Sequence, residues 1–451
     1  MDSGPTATRI PRSWSVPALL ASNFCSSAAT VGLTTIVGKQ VYDITGRSLD
    51  LGLLGLVVFA PAAALVLVTG GVADRFDRRR VAAVAALGQA AAAGGLAVCV
   101  GSQPTSVAPI FLLVFAFGIC RAFFAPSNRA LPADLVGEER VPWVVARRSA
   151  VSQAGTVVGP VLAGWLYAVD VRLPYVAILV LFVLAAIAVL EARPVGLPAT
   201  PKTQAGPPGR ASIPESLVDG EARFEAAIES ATPDQEGRPP RPTWSEAIEG
   251  LRFIRRRPIL VGALSLDLFA VLFGGAIALL PAIATDRLGV DAVGLGWLRA
   301  AGGLGAAAVM VKLAVRPVTR RVGRTLLTAV AVFGLGTILL GATRSFAVAM
   351  VAMALLSGAD SFSVFIRATL VPLLTPPDKR GRVLAVETLF VGGSNELGSL
   401  ESGIAGQLLG PGGAVVLGGF ATLAIAGGWW WLFPSLRDVD GFPNWASESE
   451  P

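Results

Sequence analysis

The sequence has 451 residues, of which 53% are hydrophobic and 15% are charged, and its mean hydropathy is +0.65. Soluble domains carry about 25% charged residues, so a chain this apolar is expected to lie in a membrane. The formal net charge of +6 does not indicate nucleic-acid binding, because the basic residues form short clusters between apolar runs. We therefore expect no nucleic-acid partner.

Side chains on which many enzymes depend are missing from the sequence. Histidine is absent, which excludes Ser-His-Asp and Cys-His catalysis, HExxH metal sites and histidine proton relays. No GxxxxGK[ST] phosphate-binding loop is present. Cys25, Cys99 and Cys120 lie inside apolar runs and form neither a disulfide framework nor a metal-binding pattern. The sequence therefore predicts a protein that is not an enzyme and that binds no metal and no cofactor.

Apolar runs long enough to cross a bilayer recur along the chain. A transmembrane helix needs about 20 apolar residues, and we count twelve candidates, most of them joined by short connections. The candidates cover roughly residues 14–38, 51–73, 81–102, 107–128, 145–168, 173–191, 258–284, 292–314, 325–343, 346–371, 384–408 and 412–433. The predicted fold class is an all-α membrane protein with twelve transmembrane helices.

A polar segment divides these candidates into two sets of six. Residues 193–243 are rich in Pro and Gly and lack apolar periodicity, which predicts a disordered linker. Residues 244–257 place Trp244, Leu251 and Ile254 on one helical face, which predicts an interfacial amphipathic helix, although a frayed start of the seventh span would look similar. We expect an N-terminal bundle in 1–192, the linker in 193–243, the amphipathic helix in 244–257, a C-terminal bundle in 258–436 and a tail in 437–451.

Lys and Arg are distributed unevenly between the two ends of the predicted helices. One end collects most of them, in clusters that include residues 75–80, 252–257 and 316–324. The other end keeps only Lys39, Arg47, Arg172, Arg287 and Arg344. The positive-inside rule then makes the basic end cytoplasmic. We expect a multi-pass protein of the cell inner (plasma) membrane, with both termini and the linker in the cytoplasm.

Several ionisable side chains lie at the depth of the predicted spans, where each is costly unless it faces protein or water. They are Arg121 in the fourth span, Asp267 in the seventh, Arg299 in the eighth, Asp360 in the tenth, and Glu387, Glu396 and Glu401 in the eleventh. The third, sixth, ninth and twelfth spans have none in their interiors. This distribution predicts a water-filled cavity lined by the other helices, with every third helix facing lipid.

The acids of the eleventh span cannot all line one surface. Glu387 and Glu401 lie fourteen residues apart and share a helical face, whereas Glu396 points roughly opposite to Glu387. We expect one of them to pair within the bundle or to lie near a helix break, which residues 392–395 could supply. Without histidine, any proton carrier must be a carboxylate. Each acid is a candidate for carrying protons, for contacting substrate or for holding helices together.

The segment GGVADRFDRRR, residues 70–80, follows the second span. It resembles the loop between spans two and three of major facilitator superfamily transporters, whose pattern is Gly, three residues, Asp, Arg, any residue, Gly, Arg, Arg. The matching residues are Gly70, Asp74, Arg75, Arg78 and Arg79, and Asp77 stands where Gly is usual. In that family the loop acts as a gate. The resemblance implies that Asp74 holds the neighbouring half and that the arginines grip the inner surface.

The fifth span contains GTVVGPVLAG, which resembles the antiporter motif of the same superfamily, found in exporters and largely missing from importers. Gly155, Gly159, Pro160 and Gly164 fit the pattern, and Ala163 replaces one Gly. Glycines at four-residue spacing let helices approach closely, and a proline removes a backbone hydrogen bond and kinks the helix. Ordinary packing of small residues would give the same spacing.

Three further segments resemble bacterial enterobactin exporters and their relatives. They are VYDITGRSLDLGLLG, CRAFFAPSNRALPADLV and GRVLAVETLFVGGSNELGSLESG. The resemblance covers the twelve spans but not the linker. It implies two pseudo-symmetric six-helix bundles around a central site, proton-driven export of a catecholate siderophore or a hydrophobic drug, no cofactor beyond the proton gradient, and a monomer surrounded by membrane lipids. An importer or uniporter of a small metabolite and a non-transporting sensor of the same fold are the alternatives.

A small-molecule substrate is the partner expected at the central site. Arg121 and Arg299 are candidate cations for an anionic ligand, and nearby phenylalanines could add aromatic faces. The phenylalanines closest in sequence to the charged positions are Phe123, Phe124, Phe269 and Phe273.

Overall fold

A computed structural model describes residues 15–136, 138–192, 244–377 and 379–442. The regular structure within these ranges is helical, and they contain no strand. The predicted linker 193–243 and residues 443–451 of the predicted tail lie outside the described residues.

Six helices form the N-terminal bundle. They are α1 (Ser15–Thr45), α2 (Ser48–Arg75), α3 (Arg78–Gly101), α4 (Ala108–Leu135), α5 (Val141–Val169) and α6 (Leu173–Glu191). Helix α1 packs against α5 and α6, α3 packs against α4 and α6, and α2 packs against α4. Their core is made of small and aliphatic side chains, together with Phe117 and Phe182, whose ring centroids are 5.8 Å apart.

The second half begins with α7 (Trp244–Arg255), which leads into the C-terminal bundle. The bundle consists of α8 (Pro258–Phe273), α9 (Ala292–Val315), α10 (Val322–Ala342), α11 (Phe346–Leu373) and α12 (Arg380–Leu432). A short helical segment, Leu280–Ala282, and a π-helical turn, Ile283–Arg287, lie between α8 and α9, and Pro434–Arg437 follows α12.

Helix α12 supplies two crossings, because the chain reverses at Gly410. This residue has φ 75° and ψ 156°, a left-handed conformation that favours glycine, and Pro411 follows it. The first arm, 380–409, packs against α2 and α8, and the second arm, 411–432, packs against α10. Each bundle therefore contains six crossings.

Nine of the described helices are long and apolar enough to cross a membrane, with α12 counted once. Helix α8 has only 16 residues, and the start of α5 carries Arg147 and Arg148. The chain is a multi-pass membrane protein, and the predicted all-α fold class is confirmed.

The predicted continuous seventh span, 258–284, is wrong, because α8 ends at Phe273 and a non-helical stretch follows. Gly274 and Gly275 begin this stretch at a crowded place. A Cβ built at Gly275 would lie 2.7 Å from the Gly398 carbonyl oxygen of α12. The break is thus stabilised by close backbone packing, which local hydropathy does not reveal.

The two bundles touch at one end and also midway along α5 and α9, where Gln153 Nε2 donates a hydrogen bond to the Gly303 carbonyl oxygen at 2.7 Å. We call the end that carries the connections 76–77 and 316–321 the basic end, and the end that carries 46–47 and Gly410 the far end. At the far end, the Tyr42 hydroxyl donates a hydrogen bond to the Asp286 carboxylate of the other bundle. In the same region, a Cβ built at Gly52 of α2 would lie 2.7 Å from the Ser399 carbonyl oxygen of α12.

Candidate functional site

The segment that resembles a gating loop joins α2 to α3 at the basic end. Asp77 caps α3, because its carboxylate accepts a hydrogen bond from the Arg79 backbone N–H at 2.9 Å. The Arg79 side chain also donates to Asp77 and lowers the pKa of that carboxyl below its ordinary value. The φ of −57° at Asp77 needs no glycine, so the departure from the family pattern has a local explanation.

Of the other described residues of this segment, Arg78 contacts its own bundle and Arg75 does not. Arg78 pairs with Asp134 at the end of α4, with Nη1 and Oδ1 3.0 Å apart. Arg75 is exposed at the end of α2. Gly70 belongs to α2, and the Asp74 side chain lies outside the described part of the chain, so the contact expected of Asp74 with the neighbouring half stays a prediction.

The glycines of the fifth span bring α5 close to two other helices. A Cβ built at Gly159 would lie 2.2 Å from the Ala28 carbonyl oxygen of α1, and one at Gly155 would lie 2.8 Å from the Phe24 carbonyl oxygen. Gly164 faces the other bundle, where a Cβ would lie 2.4 Å from the Ala292 carbonyl oxygen of α9. Helix α5 continues through Pro160. This segment therefore joins α5 to α1 within its bundle and to α9 across the bundle interface.

Arg121 and Glu396 face each other across the interface between the bundles. Arg121 lies on α4, one turn beyond Gly118, where α4 packs closely on α2. Glu396 lies on the first arm of α12 and packs against α2, because its Oε2 would be 2.7 Å from a Cβ built at Gly55 of that helix. The two opposite charges attract each other. Arg121 is exposed and Glu396 is partly exposed, so the pair lies in an accessible cleft.

Arg299 lies on the inward side of α9 and has no acidic partner within the described ranges. The exposed residues Trp297 and Leu304 mark the outer face of this helix, and Arg299 lies roughly opposite to them at 100° per residue. Its Nε atom is buried and has no hydrogen-bond partner among the described residues. A buried guanidinium without a protein acceptor is a natural contact for an anionic ligand.

Asp267 does not line an open cavity, in contrast to the sequence expectation. It forms an ion pair with Arg367 of α11, with Oδ1 and Nη2 2.6 Å apart, and the two residues are 4% and 3% exposed. Both lie between packed helices of the C-terminal bundle. Burial of one charge forces burial of the other, because an unpaired ion at this depth would be much more costly.

Asp360 and Glu387 lie beside this ion pair. Asp360, Asp267 and Ser363 line a small cavity of about 10 Å³, near the minimum size that accommodates one water molecule. The Ser363 hydroxyl is buried and has no hydrogen-bond partner among the described residues. Glu387 interacts electrostatically with Arg367 and Asp267. Three acids and one arginine thus form a polar cluster inside the C-terminal bundle.

The first arm of α12 has no break at residues 392–395, contrary to the suggestion from its glycines. Glu396 instead meets a charge on the other bundle. Glu401 lies further along, with an Oε2 atom 3.5 Å from the Ser402 hydroxyl. The predicted charges therefore separate into the Arg121–Glu396 pair, the C-terminal cluster, Arg299 and Glu401, and they do not share one cavity.

The aromatic residues close to these charges do not all turn toward the interface. Phe124 is 8% exposed in the core of the N-terminal bundle. Phe269 is 36% exposed and packs on Trp429 of the same bundle, with 5.6 Å between ring centroids. Closeness in sequence to the charged residues therefore does not show that these phenylalanines line the cleft between the bundles.

Sequence reasoning missed two groups of buried polar residues. Arg367 lies within the predicted tenth span, so the same search for intramembrane charges could have found it. In the N-terminal bundle, Asn23 Oδ1 accepts hydrogen bonds from Arg148 Nε at 2.8 Å and from Asn128 Nδ2 at 3.1 Å. Asparagines carry no charge, so a map of ionisable residues shows only Arg148 of this network.

Two six-helix bundles around a polar interface form the architecture of carriers that move small molecules by alternating access. The sequence profile of the Major Facilitator Superfamily matches residues 19–399, and the chain belongs to this family. It is a transporter and not an enzyme.

The relatives agree at the level of the family. The chain is 29% identical over 150 residues to the uncharacterized MFS-type transporter YhjO of Bacillus subtilis (strain 168), a match that covers 31% of this chain and 35% of YhjO. It is 27% identical over 170 residues to YwfA of the same organism, which covers 36% and 39%. The matched region thus spans well under half of each relative.

A bacterial homologue of the human lysosomal transporter Spinster, solved in an inward-facing and unoccupied conformation, has the same fold. The TM-score is 0.62 with 15% identity, and the match covers 96% of this chain and 97% of the homologue. At this identity the likeness shows the fold alone.

Proposed function

We propose that this transporter is a proton-coupled exporter of the cell inner (plasma) membrane. Substrate enters from the cytoplasm or the inner leaflet, the two bundles rock about the site between them, and release follows outside. The basic end, both termini and the linker are cytoplasmic in this proposal, as the positive-inside rule requires. The protein works as a monomer surrounded by membrane lipids.

The observation that carries the proposal is the pair of opposite charges on different bundles. Arg121 belongs to the N-terminal bundle and Glu396 to the C-terminal bundle, so their attraction resists separation of the bundles while Glu396 is ionised. A proton on Glu396 cancels that attraction. Proton uptake and bundle movement are then linked through one carboxylate.

The conformation supports entry from the basic end. Tyr42 and Asp286 join the bundles at the far end, and Gly164 packs on the Ala292 backbone there. Arg121 and Arg129 on α4 are exposed. The far end is closed and the cations on α4 are accessible, which suits the state that receives a substrate from the cytoplasm.

The C-terminal cluster supports proton coupling over uniport. Asp267, Asp360 and Glu387 share one buried neighbourhood with Arg367, so ionisation of all three acids leaves excess negative charge there. Uncompensated charge is costly in a low-dielectric interior, and a bound proton removes it. Asp267 is already paired with Arg367. We propose that Asp360 is the proton acceptor of this cluster, and that Glu396 is the proton acceptor of the Arg121–Glu396 pair.

The proposed substrate is an aromatic anion such as a catecholate siderophore, with hydrophobic drugs as the second class. This choice rests on the resemblance of the segments above and on the two arginines near the interface. Arg299 lacks an acidic partner among the described residues, and Arg121 has only the attraction of Glu396. A polyanionic ligand would satisfy both guanidinium groups.

Inside-out membrane vesicles from cells that produce the chain test this function. Energised vesicles should accumulate a lipophilic fluorescent dye, an uncoupler should release it, and an iron-free catecholate siderophore should compete. Asp360→Asn should abolish accumulation, whereas Asp438→Asn, an exposed acid near the end of the described chain, should not. Accumulation only in right-side-out vesicles would identify an importer, and no flux in either orientation would favour a sensor; both results would overturn the proposal.

A further inference from the structure

Helix α7 is attached to the first arm of α12 along one side. Glu249 pairs with Arg382, with Oε2 and Nη1 2.8 Å apart. A Cβ built at Gly250 would lie 2.8 Å from the Arg382 carbonyl oxygen, and Ile254 is 4% exposed. These contacts fix the rotation of α7 about its axis, so the opposite face is held outward.

That outward face concentrates positive charge around a cavity. Leu251, Arg252, Arg255 and Arg256 line a space of about 340 Å³, and all four side chains are exposed. None of the three arginines forms an ion pair with an acid of the described chain. The acid nearest to them in sequence, Glu249, is engaged by Arg382 on the other side of the helix.

The position of this cavity matches the level of lipid headgroups. Residues 256–257 alone separate α7 from α8, the next helix of the membrane-embedded bundle. Lys379 lies 5.5 Å from the centroid of the Phe253 ring of α7 and adds another positive charge at the same end of the molecule. Guanidinium groups bind phosphate oxygens with two parallel hydrogen bonds, and an exposed leucine among them suits the start of an acyl chain.

We propose that the α7 cavity binds the headgroup of an acidic phospholipid in the leaflet at the basic end. The phosphate lies among Arg252, Arg255 and Arg256, and Leu251 contacts the glycerol and upper acyl chain. Because α7 is tied to the arm of α12 that carries Glu387 and Glu396, the bound lipid holds the basic end of that arm at the membrane surface.

Native mass spectrometry of the full chain tests this site, with detergent micelles that contain equal amounts of phosphatidylglycerol and phosphatidylcholine. The unmodified protein should retain phosphatidylglycerol preferentially. Changing all three arginines to glutamine should reduce that preference on the order of a hundredfold, because each arginine near an acidic surface contributes about fivefold. If the triple variant does not fold, Arg255→Gln alone should give a reduction of about fivefold.

The matched control changes Arg316, Arg320 and Arg324 to glutamine, which removes the same charge from the same end. Arg324 already faces Asp438 at 3.8 Å, and this control should keep the lipid preference. An equal loss in both triple variants, or no loss in either, would overturn the site. The measurement needs no transport, so it remains decisive even if the proposed export function fails.

Discussion

Glu396 and Asp267 are both acids at the depth of the membrane, yet their surroundings give them different tasks. Glu396 faces an arginine of the other bundle, whereas Asp267 is paired with Arg367 inside its own bundle at 2.6 Å. A charge pair that spans a moving interface responds to the conformation of the protein. A pair buried within one bundle stays together while that bundle moves as a unit.

We predict that Glu396→Gln uncouples transport from protons. Loss of the charge should reduce energised accumulation on the order of tenfold, which is the effect expected if the Arg121–Glu396 attraction contributes about 1.4 kcal/mol to coupling. Downhill flux of the dye should remain. The measurement is dye flux against external pH. Glu401→Gln makes the same change on the same helix, where Ser402 is the neighbour, and should retain coupling. Equal behaviour of the two variants would contradict the assignment.

We predict a different outcome for Asp267→Asn, which leaves the Arg367 guanidinium buried without its counter-charge. The free energy of unfolding should fall by roughly 3–5 kcal/mol, as for other broken buried ion pairs. Removing both charges in the double variant with Arg367→Gln should recover part of that loss. Thermal unfolding in detergent measures this cycle, and a double variant less stable than Asp267→Asn alone would refute the pairing.

The sequence identifies which residues are costly in a membrane, but it does not identify their partners. Asp267 and Asp360 stand out because a carboxylate in an apolar run has few explanations. The pairing of Asp267 with Arg367 depends on the register between α8 and α11, which periodicity does not specify. The same limit explains why a single shared cavity was expected and why separate groups of charges are found.

Helix α5 illustrates how small residues determine the packing of a whole element. Gly159 lies so close to Ala28 of α1 that any side chain forces the helices apart, and Gly164 packs on the α9 backbone. The four-residue spacing predicts close approach. It does not predict which helices approach, since one face of α5 meets its own bundle and another meets the other bundle.

We predict that Gly159→Ala destabilises the protein, because its Cβ would lie 2.2 Å from the Ala28 carbonyl oxygen. The expected loss is about 1–3 kcal/mol, the usual cost of overpacking. Gly427→Ala is the matched control, since a Cβ built there meets nothing within 4 Å apart from the adjoining backbone of its own helix. The control should be neutral or slightly stabilising. Thermal unfolding of both variants in detergent is the test, and equal midpoints would contradict the close packing.

Hydropathy predicts some helix ends correctly and misses others. The reversal at Gly410 falls between two predicted spans, because a Gly-Pro pair at the end of an apolar run is a strong local signal. The interruption after Phe273 falls inside an apolar run, where length alone predicted continuity. The tight packing of Gly275 on α12 explains that break.

Contacts between the bundles determine which end of the molecule is closed. The Tyr42 hydroxyl reaches Asp286 on the other bundle, whereas the Tyr167 hydroxyl donates to Gln40 at 2.9 Å within its own bundle. Rigid bundles that exchange such contacts between their two ends would give alternating access. The sequence predicts the bundles and their order, but not which end is closed.

We predict that Tyr42→Phe favours opening of the far end. A cysteine introduced at Ser399, which lies in the seam against α2, should react faster with an impermeant maleimide added from the far side, in a chain whose native cysteines are replaced by serine. Tyr167→Phe removes the same atom without breaking a contact between bundles and should leave the rate unchanged. Equal reaction rates for the two variants would contradict the proposal that the Tyr42–Asp286 contact keeps the far end closed.

The claim that protons drive export through two exchanging bundles is tested most directly by the purified chain in liposomes. A lipophilic dye is supplied at equal concentration on both sides, and a pH gradient is imposed in each polarity in turn. We predict that the dye moves opposite to the protons in both polarities and that Asp360→Asn abolishes this movement. Dye movement in the same direction as the protons, or none in response to either gradient, would contradict the claim.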